Sequence, residues 1–83
     1  MRKEVSFKYR DKFTELGIAI AAIRKLRGMS QEQLAERANI SRGHLAVIES
    51  PNTAVAFSVE TLFSIADALG VTAVDLLNAK FPS

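Results

Sequence analysis

The chain has 83 residues, of which 48% are hydrophobic, and it contains no cysteine. That length fits one domain, and that hydrophobic share favours a folded globule over a disordered chain. The lack of cysteine excludes disulfide bonds and thiolate metal sites, and a single histidine is too few for a zinc site. The net charge of +2 is only weak support for an anionic partner.

The sequence contains neither a membrane segment nor the pattern of an enzyme. Its apolar runs fall short of the roughly 18 residues that a membrane helix needs, and no apolar stretch follows the N-terminal charges. No carboxylate pair is coupled to the histidine, and no Gly-rich phosphate loop or nucleophile–base spacing occurs. We therefore expect a cytoplasmic protein that is not an enzyme and needs no metal or other cofactor.

Residues 1–12 are the most basic part of the chain. They carry five of its eleven basic residues against two acidic ones. This excess is typical of an arm that touches phosphates, and equally of a solvated terminus. The alternation of Val5, Phe7 and Tyr9 with polar residues also permits a short strand. We interpret residues 1–12 as a basic arm or a short extra element, and residues 13–83 as the folded domain.

The first helical pattern runs from Phe13 to Arg27. Its apolar residues recur at steps of three and four, namely Leu16, Ile20, Ile23 and Leu26. Gly17 lies inside this helix, where glycine is unfavourable, which indicates that another backbone approaches closely there. Gly28 follows the last periodic residue and predicts the end of the helix.

The stretch from Ser30 to Ser50 contains two short amphipathic segments. Ser30 predicts an N-cap, and Gln33 completes a capping box with it. Ser41 predicts a second N-cap after a tight turn, in which Asn39 is the residue that tolerates a left-handed conformation. Two short helices joined in this way indicate a helix-turn-helix at about residues 30–50.

Two more helices follow the motif. Pro51 ends the third helix near Ser50. Ser58 then predicts the N-cap of a fourth helix that Gly70 terminates, and Thr72 predicts the N-cap of a short fifth helix. The sequence therefore predicts an all-α fold, a compact domain of five helices with short connections.

The chain resembles the Cro and phage-repressor-like helix-turn-helix proteins over about residues 16–77. The matching residues are Ile20, Ile23-Arg24, Ser30-Gln31, Leu34-Ala35, Ile40-Ser41, Leu45, Ile48-Glu49, Ser58, Glu60-Thr61-Leu62, Ile65-Ala66, Ala68-Leu69-Gly70-Val71 and Asp75-Leu76-Leu77. The chain departs from the family at Asn39, where glycine is usual, and in a longer loop after Ser50. The resemblance implies a lambda-repressor-like fold and a regulator of transcription, for which we expect repression, that binds specific sequences in double-stranded DNA.

The third helix is the segment expected in the major groove. At about 100° per residue, Leu45 and Ile48 point to the core, and the opposite face points to the groove. Predicted base contacts come from this face and from the first turn: Arg42, Gly43, Ala46 and Val47. Arg42 could bond O6 and N7 of guanine, and Val47 could pack on a thymine methyl. Gly43 and Ala46 would let the helix sit deep.

A second set of residues is predicted to touch the DNA backbone. The resemblance implies that Gln31 bonds a phosphate through its side chain and its backbone N–H, as helix N-termini commonly do. The other predicted backbone contacts are Ser41, His44, Ser50 and Arg27. The alternatives are ordinary ones: an exposed cation for Arg42, a helix-favouring polar residue for Gln31 and a packing residue for His44.

Arg24 and Glu49 are predicted to form a partly buried ion pair between the first and third helices. Arg24 follows the core residue Ile23, and Glu49 lies about 40° from Leu45 around its helix. The resemblance adds that family members pair arginine with glutamate at these positions. The alternative is two solvated charges that contribute little.

Between Ser30 and Ser50 the motif itself has a net charge of −1. One copy should therefore bind DNA weakly, and we expect a homodimer with Asn78–Ser83 in the contact. The competing interpretation is an antitoxin-like or scaffold subunit with the same fold, whose possible protein partner would bind solvent-facing apolar residues. The candidates for that surface are Val55, Phe57, Leu77 and Phe81.

Overall fold

The computed structural model describes residues 9–53 and 55–79, and all regular elements in these ranges are helical. The five helices are α1 (Arg10–Leu26), α2 (Gln31–Ala38), α3 (Arg42–Glu49), α4 (Val59–Leu69) and α5 (Ala73–Asn78). This confirms the predicted all-α domain of five helices, with α2 and α3 as the helix-turn-helix. The predictions for the basic segment up to residue 8, for Phe81 and for most of the dimer contact at Asn78–Ser83 fall outside the described residues.

α1 begins earlier than the sequence pattern predicted. It starts at Arg10, not at Phe13, so part of the segment 1–12 is helical. Tyr9 at its N-cap makes no side-chain capping bond, and the first turn consists of charged, exposed residues. This turn therefore lacks the apolar periodicity from which the rest of the helix was predicted, and no capping residue marks where the helix starts.

Side-chain caps begin the other four helices. The hydroxyls of Ser30, Ser41, Ser58 and Thr72 each accept a hydrogen bond from the backbone N–H three residues later. Ser30 with Gln33, and Thr72 with Asp75, form complete capping boxes. The predicted caps are thus confirmed, and they set where each short helix starts.

Left-handed residues end three of the helices. Gly28, Asn39 and Gly70 have φ values of 71°, 57° and 74°. The backbone N–H of the residue after each of these donates to a carbonyl of the helix that has just ended. Ile40, for example, donates to the Ala35 carbonyl at 3.0 Å. Asn39 therefore fills the position at which the family usually has glycine, and the tight turn between α2 and α3 forms as predicted.

The core lies where all five helices meet. α2 packs against α4 and α3, and α1 packs against α3, α4 and α5. The largest fully buried side chains are Ile20, Leu34, Leu45, Ile65, Leu69 and Leu76. Since each short helix contributes to this one core, the pair of helices in the motif is held by the rest of the domain.

Gly17 lies where the backbones of α1 and α3 meet. A Cβ atom added at this glycine would collide with the carbonyl oxygen of Ile48. The prediction that another backbone approaches Gly17 is therefore confirmed, and the backbone that approaches is that of α3.

The apolar surface proposed for a protein partner is partly incorrect. Phe57 is half-buried, packs on the core and meets Phe13 edge-to-face with ring centroids 5.6 Å apart. Val55 is also half-buried, whereas Leu77 is 60% exposed. Phe57 therefore packs inward, against the core and against Phe13 of α1.

Among the described residues, no helix is long and apolar enough to cross a membrane. No group of three or more His, Cys, Asp or Glu side chains in those same residues could hold a metal ion.

Candidate nucleic-acid interface

α3 presents one side to the core and the other to solvent. Leu45 and Ile48 are buried, whereas Arg42 and Gly43 are exposed and Val47 is 38% exposed. The outward face predicted from the helical angle is therefore the face that is accessible. Three of the four residues predicted to contact bases lie on it, and the fourth, Ala46, is half-buried at its edge.

The serines beside α3 carry out local structural roles. Ser41 is exposed, and its Oγ accepts the His44 N–H at 3.0 Å. Ser50 is half-buried, and its Oγ accepts the Asn52 N–H at 3.3 Å. A hydroxyl that accepts such a bond still has its own hydrogen to donate. Both serines can therefore cap or turn the chain and donate to a phosphate at the same time.

Arg42 and Arg27 are candidate cations for contact with DNA, one inside the motif and the other shortly before it. Both are exposed, and no side-chain hydrogen bond or ion pair to either occurs among residues 9–53 and 55–79. Arg42 is the first residue of α3, and Arg27 follows directly after α1. A guanidinium without a protein partner keeps all its donors for an external acceptor.

Arg24 and Glu49 form the ion pair that the sequence suggested. Arg24 Nε donates to Glu49 Oε2 at 2.8 Å, and Arg24 Nη2 donates to Glu49 Oε1 at 3.0 Å. The two residues are only 8% and 7% exposed. This two-bond geometry is the one in which the planar guanidinium best matches a carboxylate. It ties the last residue of α3 to α1.

Two further bonds at this pair were not found from the sequence. Arg24 Nη1 donates to the Met29 carbonyl at 2.7 Å, and Gln31 Nε2 donates to Glu49 Oε1 at 3.0 Å. Helical periodicity gives no signal for such contacts, because they join separate elements. Gln31, predicted as a phosphate contact, thus uses one of its two amide hydrogens inside the protein. Its second amide hydrogen remains for another acceptor.

Together these bonds satisfy a buried polar network. No buried side-chain nitrogen or oxygen in the described part of the chain lacks a hydrogen-bond partner. A buried charge that is fully bonded specifies one arrangement, whereas a partly bonded one is costly. The network therefore fixes α3 relative to α1 and to the start of α2.

Among the described residues, the cationic side chains all lie in the first half of the domain. In the described ranges, no lysine or arginine follows Arg42. α4 and α5 carry only acidic charges, at Glu60, Asp67 and Asp75. The positive charge of the described residues is therefore concentrated in α1 and at Arg27, which attract a phosphate backbone, whereas α4 and α5 repel it. The motif itself has a net charge of −1, so its own attraction for phosphate depends on single cations such as Arg42.

Comparisons with known proteins agree with this geometry. The helix-turn-helix family model matches residues 20–76. The immunity repressor protein of Bacillus phage phi105 is 48% identical over 56 residues, covering 68% of this chain. The match spans only 38% of the length of that repressor.

Solved structures share the fold. The N-terminal DNA-binding domain of SinR from Bacillus subtilis is 29% identical with a TM-score of 0.75, and the alignment covers 83% of this chain and 99% of that domain. The clp gene regulator ClgR from Corynebacterium glutamicum is 32% identical with a TM-score of 0.71, covering 80% and 83% of the two chains. The chain belongs to the helix-turn-helix family, of the Cro and phage-repressor type that its sequence resembles.

Proposed function

We propose that this domain binds specific sequences in double-stranded DNA and regulates transcription, as a repressor. The observation that carries the proposal is the exposed face of α3, with a free Arg42 and a bare backbone at Gly43, held rigidly by a buried ion pair. An α-helix fits the major groove, where each base pair presents a distinct pattern of donors and acceptors. Two similar proteins support this proposal, since one is an immunity repressor and the other is the DNA-binding domain of SinR.

Sequence readout would come from Arg42, Gly43, Ala46 and Val47. Arg42 has the forked donors that match O6 and N7 of guanine, and Val47 offers an apolar surface to a thymine methyl. Because the other two side chains are small, Arg42 would supply most of the hydrogen-bond discrimination.

Contacts to the DNA backbone would come from the rim of the motif. We assign this role to Gln31, Ser41, His44, Ser50 and Arg27. Among them only Arg27 is an arginine or lysine. Since few cations neutralise phosphates, the affinity of one copy should be modest and its salt dependence shallow.

The protein would act in the cytoplasm as a homodimer on two half-sites about one helical turn apart. On α5, Val74 and Leu77 are 61% and 60% exposed, and on α4 Val59 and Phe63 are 62% and 55% exposed. These residues lie on the two helices that carry no cation. We therefore assign the dimer contact to the apolar faces of α4 and α5.

The direct test is selection of bound sequences from random duplexes, followed by electrophoretic shifts of the best site over a range of salt. We expect one enriched motif and a logarithm of affinity that falls linearly with the logarithm of salt. If no duplex shifts at low salt while a protein partner copurifies, the antitoxin-like or scaffold function replaces this proposal.

A further inference from the structure

Gly43 is the one glycine among the four in the chain that the fold itself does not require. Gly17 lies against the α3 backbone, and Gly28 and Gly70 have positive φ values. At Gly43, in contrast, a Cβ atom would have no neighbour within 4 Å, and the backbone is ordinary helix.

Glycine at this position weakens the helix that contains it. α3 has only eight residues, and glycine is among the least favourable residues in a helix interior. Alanine would fit the available space and would remove this penalty. The protein thus keeps a destabilising residue in a short helix with no compensating contact among the described residues.

The position of Gly43 indicates where a compensating contact would come from. It lies on the side of α3 opposite Leu45 and Ile48, one turn before Val47, and it is the second residue of the helix. In helix-turn-helix proteins the N-terminal residues of this helix are the ones that meet base edges. Gly43 therefore faces the place where the ligand comes nearest to the helix backbone.

We propose that Gly43 is a close-approach position, at which a base edge in the major groove contacts the α3 backbone directly. This inference rests on the proposed DNA-binding function. The missing side chain lets the helix enter the groove far enough for Arg42 and Val47, on either side of it, to reach their bases. Glycine therefore makes the free domain less stable than alanine would, and it allows α3 to lie deeper in the groove of the complex.

The test is the substitution Gly43→Ala, measured in the free protein and in the complex. We expect the midpoint of thermal unfolding to rise by about 4–8 °C, because alanine favours the helix. Affinity for the selected site should fall by about tenfold or more, which is about 1.4 kcal/mol. Binding to random duplex at low salt should stay unchanged, since nonspecific binding does not need the helix deep in the groove.

Two further variants test this interpretation, one as a matched control and one with a larger side chain at the same position. Ser64→Ala in α4 also introduces alanine into a helix without a change of charge, and it should leave DNA affinity unchanged. Gly43→Leu should bind the selected site more weakly than Gly43→Ala, while the free domain should be at least as stable as the wild type because leucine also favours the helix. If Gly43→Ala binds the selected site as tightly as the wild type, the close approach is wrong although the function stands. A wild-type protein that binds no duplex would overturn the function and this inference together.

Discussion

At the scale of single residues, the ion pair between Arg24 and Glu49 is the contact with the largest energetic consequence. Both side chains are buried, and Glu49 accepts from Gln31 as well as from Arg24. Such a pair need not stabilise the fold more than apolar residues of the same size would. Removal of one partner, however, leaves the other charge buried and uncompensated.

We expect Arg24→Met and Glu49→Leu each to lower the free energy of unfolding by about 3–5 kcal/mol. The double substitution should cost much less than the sum, because it leaves no unpaired charge. Chemical denaturation of the four proteins of this double-mutant cycle gives the coupling. Strictly additive losses would contradict the pairing. Each single substitution should also weaken DNA binding, since the pair fixes the position of α3.

Arg42→Ala tests readout at one residue. The side chain is exposed and has no partner in the described ranges, so thermal stability should change little. Binding to the selected site should weaken by about 1–3 kcal/mol, and the preference for guanine at one position should relax. The matched control is Arg27→Ala, which should weaken binding to all duplexes alike and reduce the salt slope. Uniform weakening by Arg42→Ala would make this residue a phosphate contact instead.

At the scale of elements, the close contact of Gly17 with α3 determines how the first and third helices cross. Gly17→Ala should destabilise the domain by about 1–3 kcal/mol, because the new methyl meets the backbone carbonyl of Ile48, which cannot rotate away as a side chain could. Gly43→Ala is the control, since the same chemical change in open space should stabilise. Thermal unfolding of the two variants should move in opposite directions. Equal shifts would mean that α1 can move aside.

The capping box of α5 predicts a dependence of stability on pH. The backbone N–H of Thr72 donates to the Asp75 carboxylate at 2.9 Å and, with a smaller contribution from the Thr72 side chain, holds the pKa of Asp75 below its ordinary value. The folded state therefore binds this proton less tightly than the unfolded state does. The resulting stability is present above the unfolded pKa of about 4 and is lost as pH falls through the folded value.

Asp75→Asn should accordingly lower the midpoint of thermal unfolding at pH 7, and the difference from the wild type should shrink as the pH falls below about 4. Asp67→Asn, an exposed acid on α4 without a capping role, provides the control and should show no such trend. A deficit for Asp75→Asn that stays constant down to pH 2 would contradict the assignment.

How much of the fold and of the candidate site can be predicted from the sequence depends on how far apart in the chain the interacting residues lie. Caps join residues three apart, so Ser30 and Thr72 revealed where their helices begin. Gly17 revealed a close contact because glycine is costly inside a helix. The bond from Gln31 to Glu49 and the packing of Phe57 on Phe13 cross between elements, and local patterns do not specify such contacts.

At the scale of the whole molecule, the exposed apolar residues of α4 and α5 favour a dimer that leaves the motif free. Leu77→Glu should yield monomers in sedimentation experiments and should weaken binding to a two-fold symmetric site, because it places a charge in the proposed contact. Leu26→Glu is the matched control. Leu26 is 86% exposed on α1, so the same chemical change there should leave the dimer intact. A wild-type protein that is monomeric both free and on DNA would reject the dimer.

The contact between Gly17 and the α3 backbone also bears on how such a protein could acquire a new target. α3 is held from behind by main chain and by a buried ion pair, and none of the four outward residues takes part in that support. On the proposed function, substitutions at Arg42 and Val47 would alter the DNA sequence that is recognised while the position of α3 in the domain stays the same. A few substitutions would then give the same fold a new binding specificity.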